Sequence, residues 1–275
     1  MKVDSHQHFW KYSKEEFDWI HEGMKVLWRD FLPADLEPAL RRAGIDGTIV
    51  VQVPQTLREN DFLLECATAS DFVRGVVGWA PLTNPAVKSD LEKYAAQPKF
   101  KGLRHIAQNE PDDNYLLRDD FNRGVRELRD LGLIYEVLIY ERQLPAAIAF
   151  VDRHPDQVFV LNHIAKPRIG DNALEPWASR IRELSKRPNI YCKLSGLVTE
   201  ADWQNWTVAQ ITPFIDTVLE AFGPRRLMFG SDWPVCLLAT NYQQWTGIVR
   251  DAVSKLSGAE QERIWGGTAV EAYHL

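Results

Sequence analysis

The chain has 275 residues, 45% hydrophobic and 25% charged, with a formal net charge of −6. That length suits one barrel of ~250 residues better than two ordinary domains, and the composition is globular, not disordered. An acidic chain without Lys/Arg runs argues against nucleic acid or an anionic membrane as partner and favours a small molecule, and no apolar run nears the ~18 residues of a membrane span.

In chain order, a first strand is predicted from Lys2 to Phe9, then an aromatic-rich stretch, Trp10 to Phe31, that reads as a long loop over one end of the fold. Loops of that length usually carry function. A regular rhythm follows. Helix Pro33 to Ala43 stops at Gly44, and Thr48 to Val53 is an apolar, β-branched run of the kind buried in parallel sheets. Helix Asp61 to Ser70 leads to strand Val73 to Leu82, and helix Val87 to Gln97 leads past Pro98 to strand Phe100 to Ala107. Helix Phe121 to Leu131 and strand Leu133 to Ile139 flank Gly132. Helix Gln143 to Arg153 precedes strand Val158 to Ile164, and helix Trp177 to Lys186 precedes strand Ile190 to Leu194. Helix Gln210 to Phe222, strand Leu227 to Gly230, helix Tyr242 to Leu256 and a short helical pair from Ala259 complete the chain. Helices closed by Gly or Pro between apolar strands imply right-handed crossovers between parallel strands, and eight such units close into a (β/α)8 TIM barrel, here one domain over residues 1–275. An open doubly wound sheet would carry a glycine-rich first turn, where this chain has Asp4-Ser-His-Gln-His8.

Three features bear chemistry. His6 and His8 alternate along the first strand with Asp4, so all three are expected on one face. Two imidazoles projecting together at the C-terminal mouth suit a metal, or two donors aimed at one oxygen; two incidental surface histidines give the same pattern. Asp232, in Gly230-Ser-Asp-Trp-Pro234 after the last strand, sits where barrel enzymes keep acids and bases, though Asp also caps turns. Closure alone would bring it beside His6 and His8. His163 ends the sixth strand and is either a site residue or a core histidine bonded to backbone. His154 and His274, at helix ends, read as solvated. The three cysteines, Cys66, Cys192 and Cys236, are odd in number and lack CxxC spacing, which points to reduced thiols in a cytoplasmic protein. The N-terminus has no signal-like pattern.

With His6-Gln-His8 on strand one, His163 on strand six and Asp232 on strand eight, the chain resembles the amidohydrolase superfamily, of the amidohydrolase-2 type. Several phrases resemble its sugar-lactonase branch, of the L-fuconolactonase and L-rhamnonolactonase type: Asp4-Ser-His-Gln-His-Phe-Trp10, Gly102-Leu-Arg-His105, Leu161-Asn-His-Ile-Ala-Lys-Pro167, Lys193-Leu-Ser-Gly196 and Phe229-Gly-Ser-Asp-Trp-Pro234. The likeness runs the length of the chain. It implies hydrolysis of a sugar lactone, with Asp232 as base and His6, His8 and His163 polarising the carbonyl. Binuclear members place a carboxylated Lys on strand four and a His on strand five; here Lys101 lies too early and strand five has no His. The choice is then between one divalent ion, such as zinc, on His6, His8 and Asp232 or His163, and a metal-free site, which the resemblance favours.

Candidate substrate ligands are Lys193, Arg104, His105 and Gln52 at strand ends, with Trp10, Trp79 and Trp233 as flat faces for a sugar ring. Arg104 and His105 point to opposite faces of a regular strand, so one is expected to be structural. The rivals are hydrolysis of a dicarboxylated pyrone lactone, served by Arg104, Arg58 and Arg168, a metal-dependent decarboxylase, and a sugar-acid binder without catalysis. A monomer or small homo-oligomer is expected.

Overall fold

The computed structural model describes residues 1–275. Its eight strands are β1 Val3–Gln7, β2 Gly47–Val51, β3 Val73–Gly78, β4 Phe100–His105, β5 Ile134–Val137, β6 Phe159–Leu161, β7 Ile190–Leu194 and β8 Leu227–Phe229. They form one sheet in chain order, every neighbouring pair parallel. The ring closes just past β8: Gln7 bridges Trp233, the amide of His8 donates to the Trp233 carbonyl at 2.7 Å, and the amide of Asp232 donates to the His6 carbonyl at 2.8 Å. This is the expected (β/α)8 barrel.

The helices are α1 Pro33–Ala43, α2 Leu57–Ala69, α3 Lys88–Ala95, α4 Asp119–Asp130, α5 Leu144–Asp152, α6 Trp177–Leu184, α7 Val208–Arg226, α8 Tyr242–Ala252, α9 Gly258–Glu262 and α10 Thr268–Tyr273. Local chemistry sets their ends. Pro33 opens α1, where Asp35 accepts from the Leu32 amide, and Gly44 closes it at φ 69°. Thr56 caps α2 and Ser257 with Glu260 forms a capping box on α9. No helix is long and apolar enough to cross a membrane.

The inside of the barrel is stratified. Val3, Ile49, Val51, Val77, Ile134, Val160 and Met228 pack with Ala269, Ala272 and Tyr273 of α10 into an apolar cluster. Toward the other rim the filling turns polar, with Glu136, Lys193, Arg104 and Asn162 all buried. The larger apolar core lies between barrel and helices.

Several elements depart from the sequence expectation. The stretch after β1 is a packed cap with a helical turn at Glu22–Leu27 and a bridge from Trp10 to Phe31, because Trp10, Phe17 and Phe31 form their own aromatic cluster. The register of β1 shifts between Asp4 and Gln7. Asp4 therefore leaves the His6–His8 face and takes the Tyr242 hydroxyl of α8 at 2.9 Å. Strands β3 and β6 stop at Gly78 and Leu161, short of the predicted ends.

His154 is not solvated. It is 6% exposed, its Nε2 lies 2.8 Å from Asn122 Oδ1, and Phe150 and Phe159 pack on its ring. Burial lowers its pKa to about 4. The unfolded chain then binds a proton that the fold refuses, so stability is full above the unfolded value of ~6.5 and falls as pH drops toward 4. The loss is expected to reach roughly 2–3 kcal/mol. Denaturant unfolding of His154→Gln should show a flatter pH dependence across that window than the parent.

Candidate functional site

Strand ends and the turns after them place the site. His6 and His8 rise from the end of β1. The Nδ1 of His8 lies 2.7 Å from the Val51 carbonyl, which fixes the proton on Nδ1 and leaves Nε2 bare toward the barrel axis. Past β6 the backbone turns left-handed, with φ between 45° and 63° from His163 to Lys166. Four successive non-glycine residues in that region are uncommon, and such strain collects at functional sites. The turn brings His163 over the barrel, where its Nδ1 lies 2.9 Å from Ser195 Oγ. Gly196, at φ 70°, makes room: a Cβ there would lie 2.5 Å from His163 Nδ1. Asp232 is also left-handed, at φ 58°.

These four side chains converge. Asp232 Oδ1 lies 3.4 Å from His8 Nε2, 3.7 Å from His6 Nε2 and 3.8 Å from His163 Nε2, and the His6 and His8 Nε2 atoms are 3.2 Å apart. Burial pushes the Asp232 carboxyl up, but its neighbours His163, His8 and the Lys166 ammonium more than offset it, so it stays below the ordinary carboxylate range. Burial holds His163 down to about 3 and lowers His8; burial and the Lys193 charge take His6 well down. The set is therefore one carboxylate among neutral imidazoles. Ligand atoms of His6, His8 and Asp232 lie within 4.8 Å of one another. Tetrahedral zinc with Zn–N of about 2.0–2.1 Å has ligand–ligand edges of about 3.3–3.4 Å, so the spacing fits a single ion.

Beneath them lies a buried charged network. Lys193 Nζ is 2.6 Å from Glu136 Oε1 and 3.0 Å from His6 Nδ1. Tyr273 donates to the same Glu136 oxygen at 2.5 Å, and Asn162 Nδ2 donates to Glu136 Oε2 at 2.8 Å. Arg104 donates to Asn162 Oδ1 at 3.2 Å and to the Gln52 carbonyl. Burial lowers Lys193 to about 8 and Arg104 to about 10, and Glu136 works against both shifts.

Above them opens a cavity of about 390 Å³, lined by His8, Arg104, His163 and Asp232 and walled by loop residues. Trp19 and Met24 come from the cap after β1, Tyr140 from the loop after β5, and Trp203 from the loop after β7. His21 stacks on Trp203 with rings 12° apart and ties two of these loops together. Lys166 pairs with Glu200 at 3.3 Å on the wall, its ammonium 5.5 Å above the Tyr140 ring.

The proposed substrate ligands divide. Arg104 reaches the cavity; His105, next to it, faces the other way and stacks on Tyr115 with Nε2 2.7 Å from Glu110. Trp79 donates to His105 Nδ1 at 3.3 Å, so both belong to the packing behind β4. Trp10 is buried in the cap and donates to the Arg29 carbonyl, and Trp233 is buried against Phe9 and Phe31. Gln52 is buried and donates to the Arg104 carbonyl, and Lys193 is sealed under His6. None of these six lines the cavity. The residues missed, Trp19, Trp203, Tyr140, Lys166 and Glu200, all sit on loops, where periodicity says nothing about direction. The long aromatic stretch before α1 was the one available signal.

Among known proteins, the chain is 43% identical to L-fucono-1,5-lactonase of Burkholderia multivorans, with 100% of this chain and 96% of that protein covered. It is 34% identical to L-fucono-1,5-lactonase of Burkholderia ambifaria, over the same shares. A solved amidohydrolase from Burkholderia multivorans with bound zinc superimposes with a TM-score of 0.97 at 42% identity, covering 100% of this chain and 99% of that one. The amidohydrolase family model matches residues 3–275, and the chain belongs to that family.

Proposed function

We propose that this enzyme, acting as one domain over residues 1–275, hydrolyses a sugar lactone, an aldonolactone such as L-fucono- or L-rhamnono-lactone, to the sugar acid. One observation carries the reading: an ionised carboxylate, Asp232, stands among three neutral imidazoles at the floor of a sugar-sized cavity walled by Trp19 and Trp203. The relatives named as lactonases support it.

Lactone opening needs a water made nucleophilic and a stabilised oxyanion on the carbonyl. Asp232 accepts the proton of the attacking water and returns it to the departing ring oxygen. His163 Nε2–H and the Lys166 ammonium donate to the carbonyl oxygen as its charge grows. Arg104 and the Lys166–Glu200 pair hold sugar hydroxyls, and Trp19 and Trp203 cover the apolar ring face. A divalent ion held by His6, His8 and Asp232 would supply Lewis-acid polarisation of the same carbonyl.

The dicarboxylated pyrone reading loses ground. A dianion calls for several free arginines, yet Arg58 pairs with Glu16, and Arg168 pairs with Glu141 and Asp171, all away from the cavity lining. Free, buried Cys66, Cys192 and Cys236 support a reducing cytoplasmic setting, and we propose a monomer or small homo-oligomer.

A pH-stat panel of lactones, with and without chelator, tests the function. Acid release from six-carbon aldonolactones, and none from a pyrone dicarboxylate, is expected. Carbon dioxide release from a hydroxybenzoate that chelator abolishes would favour a decarboxylase, and no turnover of any lactone would favour a sugar-acid binder.

A further inference from the structure

His6 lies between two groups that can only donate. The Lys193 ammonium is 3.0 Å from Nδ1, and Arg104 Nη1 is 3.4 Å from Nε2. Neither a protonated lysine nor an arginine has an acceptor. The shorter contact is also the anchored one: Lys193 is clamped at 2.6 Å on Glu136, which Tyr273 and Asn162 hold in turn. Arg104 has better partners in Asn162 and the Gln52 carbonyl.

We propose that Lys193 is a positioning residue that sets the tautomer of His6. Its ammonium donates to Nδ1, so the His6 proton resides on Nε2 and points at His8. The hydrogen bonds then run one way: Lys193 N–H to His6 Nδ1, His6 Nε2–H to His8 Nε2 across 3.2 Å, and His8 Nδ1–H to the Val51 carbonyl across 2.7 Å. Both rings stay neutral, and each donor in this chain of three bonds has an acceptor. The same proton occupies the lone pair through which His6 would ligate a metal, so the donor spacing fits an ion while the polarity of His6 opposes one. Two buried cations beside a single carboxylate ligand add to that opposition. Metal-ligating histidines ordinarily give their second ring N–H to an acceptor; here that place is held by a donor. His6 thus serves as a hydrogen-bond donor to His8, and an ion on His6, His8 and Asp232 would have to displace that proton.

The inference concerns the pocket of the proposed lactonase, but its test reads protons and metal binding, so it stands or falls apart from the lactone assay. Long-range proton–nitrogen correlation spectra of the uniformly labelled, metal-free protein should show His6 protonated at Nε2 and bare at Nδ1, the signal being assigned by its loss in His6→Gln. A proton on Nδ1 in the parent would overturn the proposal, whatever any variant does. The second measurement pairs Lys193→Met with Glu136→Gln, removing both buried charges and replacing the donor by a weak thioether acceptor. Zinc titration against a competing chelator should show about 10–100-fold tighter binding by the double variant than by the parent. Equal or weaker binding by the folded variant would also overturn it.

Discussion

Replacing Asp232 by Asn is expected to lower kcat/KM for lactone opening by roughly 10²–10⁴-fold, the range a positioned general base contributes. The size of the effect follows from geometry. No second carboxylate lies with Asp232 among the imidazoles: Glu136 is sealed beneath them by Lys193, Tyr273 and Asn162, and Glu200 is paired with Lys166 on the wall. The amide that replaces it keeps the shape and the backbone bond to the His6 carbonyl, so the fold should persist. Circular dichroism and the melting temperature should match the parent while initial rates in the pH-stat collapse. Retained activity with an intact fold would remove Asp232 from its role.

The largest effect on stability is expected from Glu136→Gln alone. Glu136 and Lys193 are fully buried and 2.6 Å apart. Removing one member of such a pair leaves an uncompensated charge in the interior and costs about 3–5 kcal/mol. For a chain of this size the melting temperature should fall by on the order of 10 °C. Adding Lys193→Met should recover most of the loss, since the remaining apolar side chain fits the same space and no charge is stranded. A double variant no more stable than the single would mean that the network's other bonds, to Tyr273 and Asn162, carry the stability.

Much of the barrel is legible in the chain because parallel strands buried on both faces read as short apolar runs, and Gly44 and Gly132 mark where helices stop. Closure made Asp232 a neighbour of His6 and His8 before any side chain was placed. Depth and direction were less legible. Strand alternation put Asp4 with His6 and His8, yet the register shift in β1 turned Asp4 outward to Tyr242. Lys193 shares the inner face of β7 but stops beneath His6, since alternation gives the face and not the height above the floor. The tryptophans show the same limit. Trp10, Trp79 and Trp233 flank strand ends, yet they pack inside the cap or behind the sheet, while Trp19 and Trp203 reach the cavity from loops. The left-handed turn from His163 to Lys166 has no glycine to announce it.

The pH dependence of kcat/KM bears most directly on Asp232 as the working base. Its carboxyl, held below the ordinary value of ~3.8, is ionised across the neutral and mildly acidic range. Activity should therefore hold level from pH 7 down to about 4 and fall only below that, with the acid limb missing from the residual rate of Asp232→Asn. An acid limb near neutrality, or one that survives that substitution unchanged, would contradict the assignment.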